Sequence, residues 1–196
     1  MLTFIAAVFF LFITPGPGVM SIAGVGAGFG YRPAVRYFFG LLVGSNAVGF
    51  VVITGLAALL FSVPHVRTIL LFLSAAYLFY LATRIAFAGT KIAFIEAKSA
   101  PGFWNGVMLQ AINPKAYAVN TTFFSGFSFL PESLLAETLI KLLIINVIWV
   151  PIHILWLAGG VALRRLELPG RAHFAINIAM AVSMLAVVVL AVFAQI

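Results

Sequence analysis

Ile13-Thr14-Pro15-Gly16-Pro17-Gly18 interrupts a largely apolar run that extends from Leu2 to Phe29. The flanking pieces, Leu2 to Ile13 and Gly18 to Phe29, are roughly 12 residues each, short of the ~20 that cross a hydrocarbon core. Together they read as one membrane helix broken near its middle. A second break, Asn113-Pro114-Lys115, lies inside the fourth apolar stretch. At each, a residue suited to cap a helix start, Thr14 or Asn113, precedes a proline, whose missing N–H costs nothing in the first turn.

Working outward, 64% of the residues are hydrophobic and 8% charged. An ordinary soluble domain carries roughly 25% charged residues, so this chain has too little polar surface for water and is predicted to be a polytopic membrane protein. Its 196 residues suffice for a single transmembrane domain, 1–196, with no linker or polar tail for a second. Cysteine is absent, which excludes disulfides, thiolate metal sites and cysteine nucleophiles. Met1 to Ile13 has the length of a signal-peptide core, but no Lys or Arg precedes it and no convincing cleavage site follows, so it is read as the first half-span.

Six spans follow: the broken first helix, about Ala34 to Phe61, Val66 to Ala88, Phe103 to Leu130 with its break, Leu134 to Leu163, and Phe174 to Phe193. Gly40, Gly44 and Gly49 form a small-residue stripe in the second, suited to internal packing or to a homodimer. Asn46 beside them either glues helices or faces a pathway. Gln110, Asn113, Tyr117 and Asn120 are spaced by three, four and three, one polar face if the helix were continuous. Glu137 and Lys141 have the favourable order for a helical ion pair and are expected to be structural, near the water boundary.

The net charge of +7 does not indicate nucleic acid, because no aromatic-interleaved basic face exists. It sorts instead by loop. Arg32, Arg36, Arg84, Lys91, Lys98, Arg164, Arg165 and Arg171 fall in odd-numbered loops or at their edges, against Arg67 alone on the other side. Odd loops are therefore predicted cytoplasmic and both termini outside. Three spans per half, each half opening with a broken helix, predict two halves, about 1–98 and 99–196, of opposite orientation: the 3+3 inverted-repeat plan of many secondary transporters. Pro15 and Pro114 lie 99 residues apart.

Each break exposes a helix start whose N–H groups and dipole can hold an anionic group such as a carboxylate. Lys115 needs a partner or a wet cavity, since lysine near a span centre costs about 2.5–3.5 kcal/mol and no Asp or Glu lies deep in a span to pair with it. It either bonds carbonyls freed by the opposite break, or meets substrate and changes protonation during transport. The candidate substrate site is Thr14, Pro15, Gly16, Pro17, Gly18, Asn46, Asn113, Pro114, Lys115, Tyr117 and Asn120. Lys115 and His153 are the candidates for ion coupling, His153 also being readable as a packed histidine. Paired carboxylates, metal clusters and Ser/His/Asp sets are missing, so no enzyme, metal or cofactor is expected. A membrane subunit whose breaks are packing devices is the alternative.

Thr14-Pro15-Gly16-Pro17, Ala75-Ala76-Tyr77-Leu78-Phe79-Tyr80-Leu81, and Gly106 leading to Asn113-Pro114-Lys115-Ala116 occur in this order across the chain. In these the sequence resembles the LysE/RhtB amino-acid exporter family of bacterial inner-membrane proteins. The resemblance implies export of amino acids or related metabolites from the cytoplasm, energised by the proton gradient. Gly18 departs from it, standing where the family usually has Asp or Asn. Thr121-Thr122 and Ser125 also make the segment after the second break more polar than usual.

Overall fold

A computed structural model describes residues 1–63, 65–86 and 100–166, with scattered positions between 172 and 186. Its helices are α1 (Leu2–Ile13), α2 (Pro17–Phe29), α3 (Tyr31–Ile53), α4 (Leu56–Ser62), α5 (Val66–Ala86), α6 (Phe103–Ile112), α7 (Pro114–Ser125) and α8 (Leu134–Arg165). Among the described residues there is no strand. The expectations for Lys91, Lys98, Arg171 and most of the sixth span lie outside the described residues.

Both predicted breaks are present. α1 and α2 meet at a 46° bend, and Asn113 alone separates α6 from α7. α3, residues 68–85 of α5, and α8 are each long and apolar enough to cross a membrane, and the α1–α2 pair supplies a fourth candidate. Their outer faces carry Phe39, Val43, Phe50, Phe72, Phe79, Leu143, Val147 and Leu155, all exposed, an apolar surface that suits lipid and not water. The second span runs differently from expectation. It stops at Thr54-Gly55, where Gly55 takes φ +75, a left-handed conformation that glycine adopts without strain, and resumes as α4. The fourth ends at Ser125, short of Leu130.

Packing is set by small residues. Gly40 and Gly106 lie where α3 crosses α6: a Cβ on Gly40 would collide with the Phe103 carbonyl, and one on Gly106 would lie 2.5 Å from the Tyr37 carbonyl. α2 and α8 touch in the same way through Gly26, which faces the Leu157 carbonyl, and Gly160, which faces that of Ala23. The predicted stripe therefore packs internally, Gly40 and Gly44 on α6 and Gly49 against Asn120 of α7. Gly40→Ala and Gly106→Ala are expected to destabilise by about 1–3 kcal/mol through overpacking, although alanine is the better helix former. Gly159→Ala, where the added methyl meets nothing within 4 Å, should leave the thermal midpoint in detergent unchanged or raise it. Equal midpoints for all three variants would refute the close crossings.

Around these contacts, Ile22, Val25, Tyr37, Leu41, Leu81, Ile85, Leu109 and Trp149 form the main core. A second cluster joins Phe4 and Val8 of α1 to Val119, Phe123 and Ile145, with Phe4 edge-on to Phe123 and Phe127. Glu137 and Lys141 form their ion pair at 2.6 Å, but both are buried instead of lying at the water boundary. The reason is the end of α7. Lys141 Nζ donates to the Phe127 and Phe124 carbonyls, and Glu137 accepts from the Phe129 and Leu130 amides. The pair thus satisfies the backbone that turns from α7 into α8.

Candidate functional site

The two breaks satisfy their backbones differently. At the first, Thr14 does not cap the following helix as its sequence position predicts. It ends α1, its hydroxyl and amide both bonding back to the Phe10 carbonyl, while Gly16 is the N-cap of α2 and Pro17 its first residue. Two prolines in series explain this: Pro15 disfavours helix at Thr14, and Pro17 needs no N–H at the helix start. At the second break the expectation holds. Asn113 caps α7, its Oδ1 accepting from the Lys115 amide, with Pro114 first in the helix. The Ala111 carbonyl, freed by the break, accepts from the Tyr117 hydroxyl at 2.9 Å.

Lys115 joins the two. Its Nζ donates to the Thr14 carbonyl at 3.0 Å, and a Cβ on Gly16 would lie 2.9 Å from that nitrogen, so glycine is what lets the lysine cross. The lysine thus meets the carboxyl end of α1, where unpaired carbonyls favour a cation. Around this contact lies a cavity of about 50 Å³. A water molecule occupies about 30 Å³ of liquid and a benzene-sized ligand an engineered cavity of about 150 Å³. In this conformation the cavity has room for water and not for an amino acid.

Of the predicted site residues, Thr14, Gly16, Pro17, Gly18, Asn113, Lys115 and Asn120 line the cavity, as does His153. Pro15, Asn46, Pro114 and Tyr117 do not. Asn46 instead makes a reciprocal amide pair with Asn146, Nδ2 to Oδ1 at 2.9 Å in both directions, while its neighbour Ser45 faces the cavity. Asn120 Nδ2 is bonded to the Ala116 carbonyl within its own helix. Among the lining residues that went unassigned in the sequence, Ser45, Gln110 and Trp149 carry hydrogen-bonding side chains. Gln110 carried a signal, since it belongs to the polar face spaced three from Asn113. Trp149 lies four residues before His153 on one helix face, but a tryptophan among so many apolar residues is not distinguishable by pattern.

His153 is 3% exposed. It stacks on Trp149 with ring centroids 3.5 Å apart, and its Nδ1 lies 2.9 Å from the Trp149 carbonyl. Its Nε2 faces Gly18, 3.4 Å from where a Cβ would stand, and Gln110 Nε2 lies 3.9 Å from the same point. The place where the resembled family usually carries a polar side chain is here bounded by an imidazole and an amide. Among the described residues no group of three or more His, Asp or Glu is arranged to hold a metal ion.

In the comparison with known families, the model for the LysE type translocator matches residues 9–195, a range that contains both breaks. The chain belongs to the LysE type translocator family. This is a family of translocators and not of enzymes. The leucine efflux protein of Enterobacter sp. (strain 638) is 25% identical over 130 residues, covering 64% of this chain and 62% of that protein. That of Klebsiella pneumoniae subsp. pneumoniae is 26% identical over 132 residues, with 64% and 62% covered. The match to the chain thus spans about 62% of the length of these curated relatives. No solved structure matches the chain.

Proposed function

We propose that this LysE type translocator is a secondary transporter of the bacterial inner membrane that exports amino acids or related small zwitterionic or anionic metabolites by alternating access. The observation that carries the reading is the Lys115 contact across the first break: a cation held at the meeting point of two interrupted helices, in a largely apolar cavity that also presents Gln110, Asn113 and His153. The leucine efflux proteins among its relatives make neutral amino acids the first substrates to test. A cavity of about 50 Å³ is smaller than such a substrate, so loading requires the helices around it to part.

An arrangement of two inverted halves with six spans is supported by the Asn46–Asn146 pair. Each asparagine also bonds the carbonyl four residues back on its own helix, that of Leu42 or Leu142. The two stand 100 residues apart, close to the spacing of the prolines, and a reciprocal amide pair is what an internal two-fold axis generates. The orientation rests on the charge sorting, and two contacts bear on which turns share an end of the bundle. Arg164 near the end of α8 donates to the Gly28 carbonyl beside the α2–α3 turn, grouping two odd-numbered loops at one end of the bundle. Phe4 packs on Phe127 and Phe129, grouping the amino terminus with the α7–α8 turn at the other. Proton coupling would run through Lys115 or His153, the two lining side chains that carry an exchangeable ionisable group.

The test is efflux of a panel of L-amino acids from loaded proteoliposomes containing the purified chain. We expect at least one neutral amino acid to leave faster than from protein-free vesicles. No acceleration for any member removes the proposal. A second reading is favoured by the same Lys115–Thr14 bond: the lysine locks the halves together, and the chain is a non-transporting subunit. It predicts no flux at all and a Lys115→Met variant that changes only stability.

A further inference from the structure

We propose that His153 Nε2, reached through the gap at Gly18, is the acceptor that reads the ammonium group of the transported molecule; this rests on the exporter reading above. The direction of each hydrogen bond around the cavity is fixed by backbone atoms, and that leads to the assignment. The Lys115 backbone N–H can only donate, so the Asn113 atom it meets at 3.1 Å is Oδ1. Asn113 Nδ2 must then be the donor to Gln110 Oε1, also at 3.1 Å. Gln110 therefore turns its Nε2, a donor, toward Gly18. On α8 the logic runs the other way. The Trp149 carbonyl can only accept, so the His153 Nδ1 beside it carries the proton, and the neutral ring presents Nε2 as an acceptor.

Among the described residues no protein hydrogen bond reaches His153 Nε2 or Gln110 Nε2; both residues are more than nine-tenths buried and line the cavity. Both nitrogens face the cavity, where water meets them in the empty state and a ligand of the right polarity can replace that water. The cavity is therefore bipolar. Lys115 Nζ and Gln110 Nε2 donate to a carboxylate, and His153 Nε2 accepts from an amine. Glu132 and Glu137 are the acidic side chains of the described residues, and Glu137 is committed to Lys141, so no carboxylate of the cavity competes for the ammonium. Gly18 matters because any Cβ there would stand 3.4 Å from Nε2, in the space the ammonium needs. Stacking on Trp149 holds the imidazole plane and hence the direction of its lone pair.

The experiment measures the thermal midpoint of the purified full chain in detergent against two ligands: the amino acid that wild type exports fastest, and the same carbon skeleton as a carboxylate lacking the amine. Wild type should respond to the amino acid at a concentration at least about tenfold lower. His153→Phe keeps the ring stack and loses the acceptor, so the two ligands should become equivalent. His153→Gln retains an acceptor oxygen and should keep most of the preference. Gly18→Ala, sterically mild for the fold, should also reduce it. The proposal is overturned if wild type responds equally to both ligands or to neither, or if His153→Phe or Gly18→Ala keeps the full preference. Should His153→Phe not fold, Gly18→Ala and His153→Gln decide. Absence of any efflux from wild-type proteoliposomes removes the exporter reading itself, whereas flux with an unchanged preference in the variants removes only the role of His153.

Discussion

Lys115→Met is expected to lower efflux of the best exported amino acid by about 10- to 100-fold, the equivalent of one charge-assisted hydrogen bond of roughly 1.5–3 kcal/mol. Methionine has nearly the length of lysine and packs without a cavity, so the change isolates the ammonium. Two interactions disappear with it: the bond to the Thr14 carbonyl across the first break, and the positive charge facing the cavity. The first affects stability, the second transport. They separate because Thr14 lines the cavity, where a water molecule can take the lysine's place as donor to its carbonyl, whereas nothing replaces the charge. Initial efflux rates from proteoliposomes, normalised to folded protein, check the expectation. A variant that exports at the wild-type rate would leave Lys115 as a packing device and take its charge out of the transport mechanism.

Lys141→Met should lower the thermal midpoint in detergent by on the order of 10 °C, because breaking a buried pair strands its partner. Glu137 would remain buried with only the Phe129 and Leu130 amides, and the Phe124 and Phe127 carbonyls would lose their shared donor. The turn joining α7 to α8 would lose its anchor, and with it the seat of Phe4, which packs on Phe127 and Phe129 and lies 6.0 Å from Lys141 Nζ. Restoring neutrality with Glu137→Gln in the same chain should recover part of the loss. A drop for Lys141→Met no larger than for Lys115→Met would show that the pair is peripheral.

Both breaks, the apolar helices and the membership in a translocator family were legible in the chain itself, because a membrane helix needs an uninterrupted apolar run and proline interrupts it wherever it falls. The capping at Asn113 was equally legible, since a side chain two residues before its bonded amide is a local matter. The capping at Thr14 was misread because two prolines compete for the same helix start, and only the packed geometry selects Pro17. Asn46 was read as helix glue or a pathway residue and Tyr117 as part of a polar face, both in the candidate substrate site. Their partners, Asn146 and the Ala111 carbonyl, take them away from the cavity. Gly55 was passed over within an apolar run, and it ends α3.

The amino-acid sequence by itself determined that this chain lives in a membrane, where its helices are interrupted and which of its ends carry positive charge, because these follow from hydropathy, proline and charge sorting along the chain. The meeting of Lys115 with Thr14, of Asn46 with Asn146 and of His153 with Gly18 came only from the tertiary structure. Each joins residues about a hundred or more apart, and hydrogen-bond direction is set in three dimensions by which backbone atoms the packed helices bring within reach.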